Sequence, residues 1–322
     1  MRVVVTGGAG FIGANLCRRL IATRGVDEVV VLDNFVTGDA ANIAGLPVRL
    51  IEGTILDDAA LDEACAGAAA IVHLAALGSV PRSVADPMAS HLANATGTAM
   101  VLEAARRHGD LHTIVASSSS VYGSNPVLPK HEDLATRPMS PYAASKLATE
   151  SYTLAWGSSY GLPVLAFRFF NVFGPLQPAG HAYAAVIPAF VDAALAGQPL
   201  VVHGDGTQSR DFTYVGTLTA AVASAITRRI TSDTPVNLAF GSRVRLLDVI
   251  DLIEAELGHS VERSHVETRA GDVPHSQADC SRLLALIPDV QPVAFRDGLR
   301  ATIEWMRSAR NDAAALASSE LN

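Results

Sequence analysis

The stretch MRVVVTGGAGFI, residues 1 to 12, limits the possible folds more than any other part of the chain. Val3, Val4 and Val5 form a β-branched apolar run suited to a strand buried on both faces. Gly7, Gly10 and Gly13 follow at the spacing G-x-x-G-x-x-G. Ile12, Leu16, Leu20 and Ile21 then fall on one helical stripe. Strand, glycine turn and helix, in that order, turn the backbone N–H groups around Phe11 and Ile12 toward a pyrophosphate. A second apolar run, Val29 to Leu32, ends at Asp33, 20 residues after Gly13. With Asn34 beside it, a carboxylate there accepts the hydroxyls of an adenosine ribose. The same charge repels a ribose phosphate, so the expected cofactor is NAD rather than NADP.

Composition narrows the class. Of 322 residues, 49% are hydrophobic and 17% charged, enough apolar material for one large core or two smaller ones. A net charge of −8 argues against a nucleic-acid or anionic-membrane surface. Cys17, Cys65 and Cys280 are widely spaced, form no C-x-x-C pair, and suit a reduced compartment. The chain starts directly on a strand and holds no uncharged run long enough to span a bilayer. The expectation is a cytoplasmic protein.

Strand and helix patterns alternate through the first half. Val3–Val5, Val29–Leu32, Val48–Ile51, Ala70–Leu74, Ile114–Ser117 and Val164–Phe170 read as strands; Asp57–Cys65, Ala89–Arg107 and Tyr142–Tyr160 read as helices. The pattern predicts an α/β fold: a Rossmann-type, doubly wound parallel sheet with ligands at the carboxyl ends of its strands. After Asn171 the chain turns irregular, and a smaller C-terminal substrate-binding lobe is expected. The predicted division is residues 1–170 for the dinucleotide and 171–322 for the substrate, with the chain returning at least once to the first lobe. The Ala/Ser-rich end, Asn311 to Asn322, is expected to fray.

Tyr142 and Lys146 stand four apart, on one face of a predicted helix. An ammonium beside a phenol favours phenolate and should lower the Tyr142 pKa, giving a base for a hydroxyl and an acid for a carbonyl. The serines Ser117 to Ser120 end the preceding strand. His73 reads as structural, and the remaining histidines lack metal-ligand spacing.

TGGAGFIG at 6–13, HLAA at 73–76, SSSSVYG at 117–123, SPYAASK at 140–146 and RFFNVFGP at 168–175 together resemble the extended short-chain dehydrogenase/reductase family, and within it the NAD-dependent nucleotide-sugar epimerases and dehydratases. The resemblance runs from residue 1 to about residue 306. It implies a resident NAD, a nucleotide-sugar substrate, and a homodimer built on the helices 89–107 and 142–160. It implies a cofactor site that also includes Thr54, Ile55, Leu74, Ala75 and Ala76. Thr54 stands where many members carry an aspartate against the adenine.

The same resemblance makes Ser118 the hydroxyl at the reacting carbon. Ser119 and Ser120 occupy the places that resemble an Asp-Glu pair in the 4,6-dehydratases. A hydroxyl of ordinary pKa replaces neither acid nor base in an elimination, so the pattern favours an epimerase. By resemblance Asn171 meets the diphosphate, Ala185 and Val186 line the nucleotide, and His203 lies against the base. Arg210 and Arg269 bind phosphate and Asp272 the ribose. Segment 76–83, including Ser79, resembles the bacterial UDP-N-acetylglucosamine 4-epimerases. Ser276 stands where a bulky residue would exclude a 2-acetamido group. The expected reaction is 4-epimerisation of UDP-GlcNAc and/or UDP-glucose, with UDP-glucuronate the alternative sugar and a dehydratase or decarboxylase the alternative chemistry.

Overall fold

The computed structural model describes residues 1–179, 184–268 and 274–320, with side chains through residue 311. Six strands alternate with helices: β1 (Arg2–Thr6), α1 (Phe11–Ile21), β2 (Glu28–Asp33), β3 (Arg49–Glu52), α2 (Asp58–Cys65), β4 (Ala70–His73), α3 (Val80–Ala85), α4 (Pro87–His91), α5 (Gly97–Arg107), β5 (His112–Ser118), α6 (Pro141–Tyr160) and β6 (Val164–Phe169). A seventh strand, Val236–Leu238, joins the same sheet. The order is Val236–Leu238, β6, β5, β4, β1, β2, β3. Every pairing in it is parallel. The fold is the expected Rossmann type.

The strand pleat explains the two-sided core. Val3 and Val5 point into one apolar cluster with Leu16, Leu20 and Leu218, whereas Val4 points into the other with Leu61, Val101 and Leu102. Helices therefore cover both faces. The order reverses between β1 and β4, which opens a crevice at their carboxyl ends.

Beyond β6 come α7 (Val186–Leu195), α8 (Val215–Thr227), α9 (Leu246–Leu257), α10 (Ser281–Leu286) and α11 (Phe295–Glu320). Leu218 and Val222 of α8 pack in the β1 cluster, while α7, α9 and α11 share a separate core around Phe190, Ile250 and Ile303. The segment expected to fray is helical through Glu320. No helix among the described residues is long and apolar enough to cross a membrane.

One predicted helix is broken. Residues 89–107 form α4, then a π-helical turn at Leu92–Thr96, then α5. The extra residue in that turn carries Asn94 inward, where its Oδ1 accepts the Leu77 N–H (2.8 Å) and its Nδ2 donates to Ser145 Oγ (2.9 Å).

Candidate active site and cofactor crevice

The crevice at the switch point is lined by Gly7, Gly10, Asp33, Asn34, Thr54, Ile55, Leu74, Ala75 and Ala76, all predicted from sequence. Gly7 has φ +70°, and a Cβ there would sit 2.7 Å from the Ala75 nitrogen. A Cβ on Gly13 would sit 2.1 Å from the Gly7 carbonyl, so only glycine lets α1 close onto the turn. Gly10 begins α1 without any side-chain cap. The first-turn N–H groups, from Phe11 to Gly13, thus have no intrahelical acceptor and suit a pyrophosphate.

Asp33 is buried. The Ala9 N–H donates to its Oδ2 (2.9 Å) and the Phe35 N–H to its Oδ1 (2.8 Å). Two carboxylate oxygens offer about four acceptor positions, so both ribose hydroxyls can still be accepted. Thr54 Oγ1 accepts the Leu56 N–H (3.2 Å). The uncapped helix, the glycine approach and the oriented carboxylate fit an NAD.

The wall beside Ala75 is braced by a directed hydrogen-bond chain. Ala75 N–H donates to Thr6 Oγ1, which lies 2.8 Å from His73 Nδ1; His73 Nε2 lies 3.1 Å from Thr98 Oγ1. The Thr98 hydroxyl spends its proton on the Asn94 carbonyl. Thr98 must then accept from His73 Nε2–H, and Nδ1 accepts from Thr6. Burial pulls the His73 pKa from 6.5 to about 3, keeping the ring neutral and structural.

The end of β5 faces α6. The Tyr142 phenol is hydrogen-bonded to Ser118. Ser118 Oγ also accepts the Ser120 hydroxyl at 2.9 Å. Lys146 is buried and its ammonium donates to the Ala116 carbonyl (2.8 Å). Here the sequence expectation is corrected. Burial raises the Tyr142 pKa, and the opposing pull comes from Ser118 rather than Lys146. Burial also lowers Lys146 from 10.5 to about 8. With its ammonium turned to the Ala116 carbonyl, Lys146 leaves the phenol protonated at neutral pH in the protein alone.

A cavity whose described lining does not include Tyr142 or Lys146 opens beside Ser118, and a second cavity adjoins it. One, of about 500 Å³, is lined by Ser118, Ser119, Ser120, Met139, Asn171, Arg210 and Ser276 among others. The other, of about 270 Å³, is lined by Asn171, Ala185, Val186, His203, Arg210 and Phe212 among others. Asn171 and Arg210 border both, at the junction of the two cavities. Asn171 holds φ +33°, and its Nδ2 donates to the Asp211 carbonyl (2.9 Å). Arg210 Nη1 donates to the Ser209 (3.0 Å) and Pro274 (3.2 Å) carbonyls. Asp211 is buried; its Oδ2 accepts the Ala278 N–H (2.9 Å), drawing the loop that carries Ser276 against Arg210.

Ser79 does not line either cavity; its hydroxyl caps α3 by accepting the Arg82 N–H (3.2 Å). His203 lines the smaller cavity, and its Nδ1 contacts the Glu267 carbonyl (3.1 Å). Arg269 and Asp272 lie outside the described residues. Lys130 and His275 line the larger cavity without having been singled out. His275 adjoins Ser276, which was the available signal. Lys130 sits in an irregular loop whose sequence carries no pattern.

A model of the NAD dependent epimerase/dehydratase family matches residues 3–239. The chain is 34% identical to the UDP-glucose 4-epimerase of Mycolicibacterium smegmatis, over 96% of this chain and 99% of that protein. It is 32% identical to a dTDP-glucose 4,6-dehydratase of Streptomyces niveus, over 96% and 94%. Its fold superposes with TM-score 0.90 on a UDP-N-acetylglucosamine 4-epimerase from Methanobrevibacter ruminantium in complex with UDP-N-acetylmuramic acid, at 36% identity over 96% of this chain and 98% of that one. The dinucleotide crevice, the Ser118–Tyr142 pair and these likenesses converge: the chain belongs to the NAD dependent epimerase/dehydratase family.

Proposed function

We propose that the protein is a UDP-sugar 4-epimerase acting on UDP-GlcNAc/UDP-GalNAc and/or UDP-glucose/UDP-galactose. One observation carries the choice of reaction. The larger cavity has the Ser118 hydroxyl at its wall, and among the described residues no aspartate or glutamate lines it. An elimination needs an acid and a base at the sugar; a reversible oxidation needs only a phenol and a hydroxyl. A relative of this chain is named a dehydratase, and the lining is what supports the epimerase reading here.

NAD held in the crevice by the α1 N-terminus and Asp33 would supply a reversible hydride acceptor for C4. The positive charge of its nicotinamide opposes the effect of burial on Tyr142 and favours phenolate. Tyr142 takes the proton of the C4 hydroxyl while Ser118 holds the oxygen. The 4-keto sugar then turns about its diphosphate linkage, and Tyr142 returns the proton on the other face. Arg210 keeps the diphosphate still while the sugar turns in the larger cavity. The small Ser276 leaves space for an acetamido group.

The decisive experiment incubates purified protein with UDP-GlcNAc, UDP-glucose and UDP-glucuronate and separates the products. C4 inversion of the first or second is expected. Inversion of UDP-glucuronate alone would replace the sugar assignment, and no inversion at all would remove the reaction. Tyr142→Phe should lower turnover about a thousandfold with NAD still bound.

We further infer a homodimer through α5 and α6. On α6, Tyr152, Trp156 and Tyr160 recur every four residues as an edge-to-face ladder, with Tyr160 54% exposed. Such a stripe is better suited to a helical partner than to water. Light scattering should give twice the chain mass, and Tyr160→Glu should reduce it.

A further inference from the structure

Three consecutive residues of β5 meet three successive turns of α6. Ser118 bonds the Tyr142 phenol, Ala116 accepts from Lys146 (2.8 Å), and the Ser117 hydroxyl donates to Glu150 Oε2 (2.9 Å). Tyr142, Lys146 and Glu150 therefore form one face at intervals of four. The first two rungs belong to the reaction. The third lies behind it: Glu150 is 4% exposed and lines neither cavity.

Arg168 of β6 completes this rung. Its Nε donates to Glu150 Oε2 (2.8 Å) and its Nη2 to Oε1 (2.6 Å), while Nη1 reaches the Glu132 carbonyl (3.2 Å). Its guanidinium lies 4.7 Å from the centre of the Tyr122 ring. The Glu150 carboxylate thus takes three donors from two adjacent strands. A buried ion pair is often no more stabilising than apolar side chains of the same volume. What it supplies that they do not is direction, because a bidentate fork fixes both position and orientation. Apolar burial is non-directional and sets the register of α6 less sharply.

We propose that Glu150 and Arg168 are positioning residues that fix the register of α6 on β5 and thereby hold the Tyr142 phenol on Ser118. The proposal rests on the acid–base reading of Tyr142. Its primary readout needs no turnover.

The test replaces both partners by apolar groups, Glu150→Leu with Arg168→Met, so that no unpaired charge is buried. Tyr142 ionisation is followed in NAD-loaded protein by ultraviolet difference against the same background carrying Tyr142→Phe. Loss of register weakens the Ser118 bond, so the phenol should titrate higher by about one pH unit. Where the protein epimerises a sugar, kcat should fall about a hundredfold while KM changes less than about threefold. Ser117→Ala cuts the same rung without touching the ion pair and should move both quantities in the same direction, by less. It decides the matter if the double variant fails to fold. Unchanged titration and kcat in a folded double variant, or in Ser117→Ala alone, would overturn the proposal. A shifted titration in a protein that inverts no sugar would uphold it and sink the epimerase reading instead.

Discussion

The Asp33 carboxylate receives the Ala9 N–H at 2.9 Å, joining the end of β2 to the glycine turn between β1 and α1. One side chain both shapes the turn and lines the dinucleotide crevice. Asp33→Ala should therefore remove bound NAD and also leave a buried N–H unsatisfied. The expected results are at least about a tenfold loss of NAD in the purified protein and a destabilisation of about 1–3 kcal/mol. Cofactor absorbance and urea unfolding measure the two separately.

His73 makes the fold sensitive to acid. Its folded pKa, about 3, is depressed from the ordinary 6.5. Between these values the unfolded chain binds a proton that the native ring refuses, so stability rises with pH. It is complete above about 6.5 and is lost as pH falls toward 3, with a slope of up to about 1.4 kcal/mol per pH unit. His73→Leu should flatten that slope in unfolding curves at pH 4 to 7, although it leaves Thr6 and Thr98 without their shared partner and lowers stability at pH 7.

Ser276 borders the larger cavity. Filling that border with Ser276→Tyr should cut kcat/KM for UDP-GlcNAc about a hundredfold and leave UDP-glucose within about threefold. Parallel initial-rate measurements on the two sugars test it. Equal losses on both would mean that Ser276 does not face the 2-substituent.

Arg210 stands at the junction of the two cavities. Arg210→Leu should raise KM for every accepted UDP-sugar by about ten- to a hundredfold, with kcat far less affected and NAD retained. A fall in kcat alone would place Arg210 at the reacting carbon rather than on the diphosphate.

The sequence exposed most readily what depends on local periodicity. The valines of β1 and β2, the turn glycines and the Tyr142–Lys146 spacing are each readable within a single element, and each lies where the pattern predicted. The π-helical turn at Leu92–Thr96 escaped because it inserts one residue without disturbing the apolar stripe on either side. The direction of the Tyr142 pKa escaped because spacing puts Lys146 on the same face but does not say which acceptor its ammonium takes. Glu150 carries no pattern of its own in the sequence. Its partner Arg168 is 18 residues away on β6, and only the packing of α6 on the sheet brings them together. The junction formed by Asn171 and Arg210 likewise depends on a contact between residues 40 apart in sequence, from Asn171 to the Asp211 carbonyl.

The strand Val236–Leu238 pairs with β6 through Val236 and Phe167, Asn237 and Arg168, Leu238 and Phe169. The C-terminal half of the chain is thus stitched into the sheet of the N-terminal half, and is not appended to it. A chain cut before residue 236 would leave β6 with a bare edge of unpaired N–H and C=O groups, an invitation to aggregate. Grafting a relative's sugar-binding half onto this one at residue 170 would exchange an integral strand of the Rossmann sheet along with the pocket. The two halves must therefore vary together, and specificity is more readily altered at single positions of the cavity wall than by swapping modules.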